Sequence, residues 1–337
     1  MRWYIFLVTL FVTGLLSFKN YTAPVLSVFK ISGFAQGTTY HITYYAKDSL
    51  VVKKQVDSIL DRIDSSLSIY KPYSLISLFN NADTEVAMDE HFRFVVNRSL
   101  EISKATEGIS DITVYPLVNS WGFGPQHISK QPDPAEINAM MPCIGADKIH
   151  IRGKRLIKDK PCVKIDVNGI AQGYSVDVVA GFLEKNKIRN YMVEIGGELR
   201  IKGRKYPGGT IMQIGIEAPA QNNFDEPVIK KIIQLDNGAV TTSGNYRKYH
   251  IVNGKKISHL IDPKTGYPFQ NELISVTVYA KDAITADGYD NALMGMGLKK
   301  ALLFLKKHKD LEAYFIYQNA TTVVCDTATA GFYKMLN

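Results

Sequence analysis

Alternation between apolar and polar residues predicts several strands along the chain. In the segment GTTYHITYYA, residues 37–46, the side chains of Tyr40, Ile42 and Tyr44 fall on one face, as in a strand with one buried side. Further segments have the same character: TIMQIGIE (210–217), LISVTVYA (273–280), and a closing hairpin of AYFIYQ (313–318) with TTVVCD (321–326).

Apolar residues repeated at intervals of three or four predict helices between these strands. Three rows have this spacing: Val52, Val56, Ile59, Ile63 and Leu67; Phe92, Val95, Val96 and Leu100; and Ile170, Tyr174, Val178 and Phe182. A fourth helix is predicted from Thr285 to about Leu305, with Gly295 and Gly297 interrupting it. Strands and helices are mixed without a steady βαβ rhythm, which predicts an α+β fold. Because no Gly/Ser/Pro-rich linker divides the chain, residues 21–337 are predicted to form one compact domain.

The amino terminus has the pattern of an export signal. Arg2 precedes an apolar run at 3–16, and a polar stretch follows at 17–20. The run is shorter than the ~20 residues that a membrane-spanning helix needs. Residues 1–20 are therefore predicted to be a signal peptide or an N-terminal membrane anchor. The rest of the chain is expected in the periplasm or at the outer face of the cytoplasmic membrane, and no cysteine follows the run to accept a lipid.

Composition and charge narrow the classes of function. The chain is 46% hydrophobic and 21% charged, as expected of a globular protein, and its net charge is +8. This charge favours phosphorylated ligands or an anionic membrane surface. The basic residues are scattered rather than arranged in a stripe, which argues against nucleic-acid binding. The densest basic group is predicted to be the exposed face of one late helix: Lys299, Lys300, Lys306, Lys307 and Lys309.

Cysteine spacing and glycine motifs exclude further kinds of site. Cys143, Cys162 and Cys325 form an odd count without CxxC spacing, which argues against a zinc site and against a disulfide framework. One disulfide bridge remains an alternative if the compartment is oxidising. Two common nucleotide-binding motifs, GxGxxG after a first strand and GxxxxGK[ST], are absent from the sequence.

Four polar segments that contain glycine carry the candidate chemistry. The first, at 107–125, holds Asp111 together with the aromatic residues Trp121 and Phe123. Two interpretations fit it. It is either a loop that packs an aromatic cluster, or one wall of a pocket for a flat ring, with Asp111 bonded to the polar edge of that ring.

The second segment is KIDVNGIAQGYSVD, residues 164–177. It is predicted to run from a strand through Asp166 into a turn at Asn168 and Gly169, and then into a helix. Free N–H groups at such a helix start can receive a phosphate, and carbonyl groups of the turn can face a cation. The alternative is an ordinary turn in which Asp166 only caps the helix.

The third segment, at 241–268, concentrates polar side chains, among them Arg247, His250, His259 and Asp262. His259 lies three residues before Asp262, and this pairing suits a general base near neutral pH. The alternative is a histidine with a purely structural role.

The fourth segment is TADGYDNALMGMG, residues 285–297. Asp287 and Asn291 are four residues apart, so their side chains project from one face of a helix, and Asp290 can share that face. Hard oxygen donors of this kind suit Mg²⁺, which takes six oxygen ligands and keeps several waters. The alternative is that Asp287 is only a favourable charge near a helix start.

In this order, the four segments resemble those of the FAD:protein FMN transferases, the ApbE-like flavin transferase family. The segment SIYKPYSLISLFN (68–80) resembles an early Ser-rich segment of that family. The resemblance implies a single compact, T-fold-related domain of mixed sheets and helices, with the flavin site in a cleft between two lobes. It also implies an enzyme that uses Mg²⁺, splits FAD and transfers FMN to a Thr or Ser hydroxyl of another protein, releasing AMP. The targets would include flavoprotein subunits of membrane electron-transport complexes.

The resemblance also implies roles for individual residues. The FAD contacts fall on eight positions: Gln36, Tyr70, Ile109, Ser110, Asp111, Asp166, Gln172 and Leu260. The metal ligands fall on the carbonyl of Gly169 and on the side chains of Asp287 and Asn291, with Asp290 as a further donor. His259 falls on the catalytic base, and the spacing described above adds Asp262 to the predicted catalytic residues. Two positions depart from the family pattern: Asn291, where Thr is usual, and Gln172, where Lys or Glu is usual.

Two other functions fit the same residues. A hydrolase would use water as the acceptor and release FMN and AMP with the same metal site. A non-catalytic, exported flavin-binding protein would bind FAD and leave it intact.

Overall fold

The computed structural model describes residues 25–125, 130–219, 228–246, 249–252 and 255–336. The predicted signal or anchor at the amino terminus and the side chain of Arg247 lie outside these residues. Across the part of the chain that is described, no helix combines the length and the apolar character needed to cross a membrane.

Strands and helices follow one another in mixed order. The strands are β1 (Ser27–Ala35), β2 (Thr38–Ala46), β3 (Glu85–Ala87), β4 (Ile149–Arg152), β5 (Arg155–Lys158), β6 (Asn190–Ile195), β7 (Glu198–Lys202), β8 (Met212–Glu217), β9 (Ile229–Leu235), β10 (Asn237–Gly244), β11 (Tyr249–Val252), β12 (Lys255–Ser258), β13 (Leu273–Ala280), β14 (Glu312–Gln318) and β15 (Val324–Ala328). The helices are α1 (Lys53–Leu67), α2 (Leu75–Asn81), α3 (Glu90–Ala105), α4 (Tyr115–Ser120), α5 (Pro134–Met140), α6 (Asn168–Lys185), α7 (Ala283–Met296), α8 (Leu298–Lys307) and α9 (Ala330–Tyr333).

Eight of the strands form one antiparallel sheet, in the order β1-β2-β6-β7-β10-β13-β14-β15. The predicted strands at 37–46, 210–217 and 273–280 correspond to β2, β8 and β13, and the predicted closing hairpin is β14 with β15. Tyr40 and Tyr44 are fully buried on one side of β2, as the alternation predicts. The smaller sheets are β3-β5-β4, β8-β9 and β11-β12.

The large sheet is covered on both faces. Helices α1, α6 and α7 cover one face and bury the largest apolar cluster, which includes Ile42, Val179 and Leu293. The β8-β9 hairpin and α9 cover the other face, where Ile214 and Phe332 are buried. Mixed helices and sheets around one central sheet confirm the α+β prediction and the single compact domain.

The late helical stretch is confirmed, with a sharper boundary than the sequence predicts. Helix α7 begins after Asp282, whose carboxylate accepts the N–H of Thr285 at 3.1 Å. It ends at Gly297, whose φ of 71° lies in the left-handed region that favours glycine, and α8 follows. The prediction that Gly295 interrupts the helix is wrong, because this residue lies within α7. The lysine group on and just after α8 is exposed as predicted.

Three local predictions need correction. Val52 is the residue before α1 and is half exposed, so it does not belong to the buried row. In α6, Val178 and Phe182 are only partly buried, because the helix lies on the sheet beside α7 and its buried face runs through other residues: Val176, Val179, Ala180 and Leu183. The segment before Asn168 is buried but is not a strand.

Cys143 and Cys162 form a disulfide, and Cys325 is a free thiol. The single bridge that the sequence left open is therefore present, and there is no wider disulfide framework among the described residues. The bridge joins a short turn after α5 to the extended segment that leads into α6.

Candidate functional site

Helices α6 and α7 lie side by side in antiparallel orientation, and this pairing brings two of the predicted segments together. The Gly173 N–H donates to the Asp287 carboxylate at 2.7 Å. At one end of the pair, the Asn291 amide nitrogen lies 3.4 Å from the Gly169 carbonyl oxygen. At the other end, the Asp177 carboxylate accepts the first N–H groups of α7. Three of the predicted metal ligands, the Gly169 carbonyl, Asp287 and Asn291, therefore lie along the first turns of α6.

The close approach of the helices depends on a glycine. A Cβ atom at position 173 would lie 2.4 Å from the Ala283 carbonyl oxygen and 2.7 Å from the Asp287 Cβ. No side chain fits at these distances, so only glycine lets Asp287 reach the α6 backbone.

Asp287 and Asp290 are buried carboxyls on neighbouring turns of α7, at 4% and 1% exposure. Burial raises the pKa of Asp287 to about 7; the Gly173 N–H opposes the rise and the Asp177 carboxylate adds to it. Burial also raises the pKa of Asp290 well above its ordinary value, and the Asp287 and Glu198 carboxylates add to that effect. These two carboxyls lie where a cation would offset their mutual repulsion and their desolvation.

The donor set fits a hard cation. The Oδ1 atom of Asp290 is buried and accepts no hydrogen bond in the described part of the protein. The Asn291 oxygen accepts from Ser243 Oγ at 2.7 Å, and half a turn of the amide would place that oxygen beside the Gly169 carbonyl instead. No group of three or more His, Cys, Asp or Glu side chains suited to a metal occurs among the described residues. A cation here would therefore rest on a carbonyl, an amide and carboxylates, the mixed oxygen set that Mg²⁺ accepts.

The interpretation of Asp287 as a charge at the helix start does not match the structure. Asp282 is the capping residue of α7, and Asp287 lies in the second turn with a main-chain N–H of another helix as its partner.

A group of polar and aromatic side chains adjoins the start of α6. Asp166 accepts the Asn168 N–H at 2.8 Å, and its own N–H donates to the Ile112 carbonyl at 2.7 Å. Burial raises the pKa of the half-exposed Tyr70, and the Asp166 carboxylate adds to the rise. Burial and the same carboxylate also raise the pKa of Tyr115, and Tyr70 contributes. The phenols of Tyr70 and Tyr115 are thus close enough to Asp166 to feel its charge.

Tyr115 is a site residue that the sequence analysis did not single out. It lies within the first chemistry segment, four residues after Asp111, and is the first residue of α4. Its position beside Asp166 follows from the bond between the Asp166 N–H and the Ile112 carbonyl, which sequence spacing does not reveal.

Two predicted FAD contacts lie along the first turns of α6. The Gln36 side chain donates to Ser175 Oγ at 2.9 Å, and the Gln172 side chain donates to the Ile195 carbonyl at 2.7 Å. Gln36 is in the β1-β2 turn with a φ of 54°. The structure therefore places both amides on the same side of the sheet as Gly169.

The predicted contacts at 109–111 are partly buried, and Asp111 has a structural role. Both oxygens of Asp111 are engaged, since Oδ1 accepts from Thr113 and Oδ2 accepts the Ala146 N–H at 2.7 Å. Burial raises the pKa of Asp111, while these bonds lower it. The bond from Asp111 to a ring edge stays a prediction. Ile109 lies against α7, where a Cβ at Gly295 would come within 2.8 Å of it, and Ser110 is half-buried beside it.

The His259 segment borders the same region. Phe269 packs close to Gly295 of α7, and its N–H donates to the Leu260 carbonyl at 2.9 Å. The Phe123 ring meets His259 edge-on at 6.2 Å and stacks on His250 at 4.5 Å between centroids. The predicted aromatic cluster is therefore present, and it contacts the candidate base.

Asp262 has a local role in this segment. Its two oxygens accept the Lys264 N–H at 2.9 Å and the Thr265 hydroxyl at 3.0 Å, which fixes the turn that follows. The catalytic pairing of Asp262 with His259 stays a prediction.

Comparison with known proteins identifies the family of the chain. The model of the ApbE family matches residues 36–315. The FAD:protein FMN transferase of Haemophilus influenzae is 38% identical over 316 residues, which cover 90% of each chain. That of Vibrio cholerae is 39% identical over 279 residues, which cover 81% of this chain and 82% of the relative.

Solved structures of flavin transferases have a similar fold. The flavin transferase ApbE from Vibrio cholerae has a TM-score of 0.83 and 34% identity, and the match covers 92% of this chain and all of the other. The apo form of Pseudomonas stutzeri flavinyl transferase ApbE has a TM-score of 0.82 and 34% identity, covering 92% and 97% of the two chains. The fold is thus that of the flavin transferase structures. The chain belongs to the ApbE family.

Proposed function

We propose that this protein is a magnesium-dependent FAD:protein FMN transferase. It cleaves the pyrophosphate of FAD, attaches the FMN half to a Thr or Ser hydroxyl of another protein and releases AMP. The acceptors are flavoprotein subunits of membrane electron-transport complexes. The names of the relatives support the transfer of FMN from FAD to a protein.

One observation carries the proposal for the metal and the chemistry. The Asn291 amide lies 3.4 Å from the Gly169 carbonyl and Asp287 accepts the Gly173 N–H, so side chains of α7 meet the beginning of α6, two residues after Asp166. Asp290 is buried close enough to Asp287 to feel its charge. A cation site at a helix start suits the anionic phosphates of FAD, and nearby phenol rings suit its flat aromatic ring.

Mg²⁺ would be held by the Gly169 carbonyl, the Asp287 and Asp290 carboxylates and the Asn291 amide oxygen. When bound, it supplies positive charge that stabilises the negative charge developing on the phosphates. The free oxygen of Asp290 supports this assignment.

The remaining residues bind and orient the reactants. Tyr70 and Tyr115 offer aromatic surface to the isoalloxazine ring, and Gln36 and Gln172 offer amides to its polar parts. In the transfer step, the acceptor oxygen bonds to the phosphorus of the FMN half and the bond from that phosphorus to the bridging oxygen of AMP breaks. The hydroxyl proton goes to His259, whose ring contacts the Phe123 ring edge-on.

Incubation of the purified protein with FAD, Mg²⁺ and a candidate acceptor tests the proposal. In-gel flavin fluorescence and mass spectrometry should show covalent FMN on the acceptor and an equal amount of AMP. Release of free FMN and AMP at the same rate with and without acceptor would identify a hydrolase instead. Intact FAD after incubation would indicate a flavin-binding protein without turnover.

Export is the second part of the proposal. The apolar run near the amino terminus supports a signal peptide or membrane anchor. The disulfide between Cys143 and Cys162 supports an oxidising compartment, where such bridges persist. Fractionation of cells that produce the full chain should place it in the periplasm or on the membrane, and recovery in the cytosol would contradict export.

A further inference from the structure

The segment that delivers Asp166 and Gly169 to the site is buried but has no strand beside it. Val163, Ile165 and Val167 are fully buried, yet residues 163–167 belong to no sheet. Buried backbone N–H and C=O groups need partners, and here no strand ladder supplies them. Side chains and single main-chain contacts must therefore hold the segment in place.

Asn80 supplies two of these partners. Its amide nitrogen donates to the Ile165 carbonyl at 2.8 Å, and its amide oxygen accepts the Ile165 N–H at 2.7 Å. The side chain thus pairs with one residue of the segment as a neighbouring strand would. Asn80 is only 6% exposed, so water does not compete for these bonds.

Lys158 supplies a further partner, for the Val163 carbonyl. Its ammonium group donates to the carbonyls of Phe79, Pro161 and Val163 at 2.9, 3.2 and 3.0 Å, which uses all three of its protons. The Phe79 ring also lies 4.9 Å from the Nζ atom. Burial lowers the pKa of Lys158 to about 8, and the three carbonyl dipoles offset part of the cost of desolvating the charge. Lys158 therefore ties the end of α2 to the beginning of the segment.

These contacts link two walls of the site through one short helix. Ser74 caps α2 and its hydroxyl donates to the Ser68 carbonyl at 2.7 Å, so the start of α2 fixes the loop that carries Tyr70. The end of α2 fixes the Asp166 segment through Asn80. The Ser-rich segment at 68–80 thus carries Tyr70 and, through α2, also holds the Asp166 segment in place.

We propose that Asn80 and Lys158 are positioning residues, which hold Asp166 and the Gly169 carbonyl at the places where FAD and its metal bind. This inference rests on the proposed function. Neither side chain touches the reactants: Asn80 acts through Ile165, and Lys158 acts through Val163. Loss of either contact leaves Asp166 and Gly169 in the chain but lets their segment shift.

The test uses Asn80→Asp, which keeps the acceptor oxygen and removes the donor, and Lys158→Met, which keeps the length and removes the charge. Both should raise the KM for FAD, and the dissociation constant for FAD measured with metal chelated, by about 10- to 100-fold, the size typical of residues that orient a binding group. The kcat at saturating FAD should change much less. Asn80→Ser, which shortens the side chain and removes both contacts, replaces Asn80→Asp if that variant does not fold.

Phe332→Leu is the matched control, because Phe332 is fully buried on the opposite face of the sheet and stacks on Tyr314. It should lower Tm and leave both FAD constants unchanged. If the Asn80 and Lys158 variants behave like this control, their role is purely structural and the inference is wrong. The unaltered protein in the same assay separates the two proposals: absence of FMN transfer there contradicts the function, while the chelated binding measurement still decides the positioning role.

Discussion

At the scale of single residues, the acidic side chains of the candidate site differ in how far their oxygens are already used. Asp111 and Asp262 each accept hydrogen bonds with both oxygens from nearby main-chain and hydroxyl groups. Asp290 keeps a buried oxygen without a partner among the described residues. A carboxylate whose oxygens are all engaged locally gains less from a cation than one with an oxygen to spare. The α7 carboxylates are therefore the stronger candidates for metal ligands.

Replacement of His259 tests its role as the base. His259→Ala should lower kcat for FMN transfer by about 10²- to 10⁴-fold, the usual contribution of a general base, with little change in FAD binding. His150→Ala is a suitable control, since His150 is partly exposed and its ring bonds Asp159 in the described structure. Transfer by His259→Ala at the rate of this control would remove His259 from the mechanism.

The sequence predicts which residues lie together when they belong to one helix or strand, because their spacing sets the face on which they lie. Asp287, Asp290 and Asn291 share a helix face because of helical periodicity, and the structure confirms that they lie together. Sequence patterns did not predict Tyr115 as a site residue, because Asp166 is 51 positions away in the chain. The main-chain bond between Asp166 and Ile112 brings the two regions together. The local bonds of Asp111 also depend on a distant residue, Ala146.

At the scale of elements, the antiparallel pair of α6 and α7 builds the site. The pair is held by the contact between Gly173 and Asp287 and by Asp177. The Asp177 carboxylate accepts the first two N–H groups of α7 and forms a salt bridge with Arg200 at 2.6 Å. Alternation and helical spacing predicted most of these elements. These patterns wrongly predicted a strand before α6, because the segment there is as buried as a strand. Its backbone groups are bonded by side chains such as Asn80 and Lys158 and not by a neighbouring strand.

A pair of glycine substitutions in α6 tests this packing. Gly173→Ala should lower the free energy of unfolding by roughly 1–3 kcal/mol or more, since its Cβ would meet the Ala283 carbonyl oxygen. Gly181→Ala lies in the same helix with no atom within 4 Å of its Cβ, and should be neutral or stabilising by about 0.5–1 kcal/mol. Urea unfolding measures both, and equal effects of the two changes would contradict the close contact.

Removal of the disulfide tests a second connection between elements. A double variant, Cys143→Ser with Cys162→Ser, should unfold with a free energy lower by roughly 2–4 kcal/mol, because the unfolded chain regains the freedom of the closed loop. Cys325→Ser removes the free thiol and should stay within about 0.5 kcal/mol of the unaltered protein. A double variant as stable as this control would show that the bridge does not form in the folded protein.

At the scale of the whole molecule, the sequence predicted the fold class and the single domain but not the arrangement of the sheet. Strand β10 lies between β7 and β13, and β2 lies beside β6, although long stretches of chain separate the members of the second pair. Such pairings are set by burial on two faces of one sheet, and no local pattern encodes them. The resemblance to a known family supplied the global fold, which the comparisons confirm.

Oxygen donors from the start of α6 and from α7 are proposed to hold one divalent cation. Mn²⁺ binding followed by electron paramagnetic resonance, with Mg²⁺ as competitor, measures this directly. The unaltered protein should bind one Mn²⁺ that Mg²⁺ displaces. Asp287→Asn should weaken that binding by at least about 10-fold, whereas Asp310→Asn, which alters an exposed carboxylate just after α8, should not. Binding by Asp287→Asn that equals the unaltered protein would show that the cation lies elsewhere and would contradict the account.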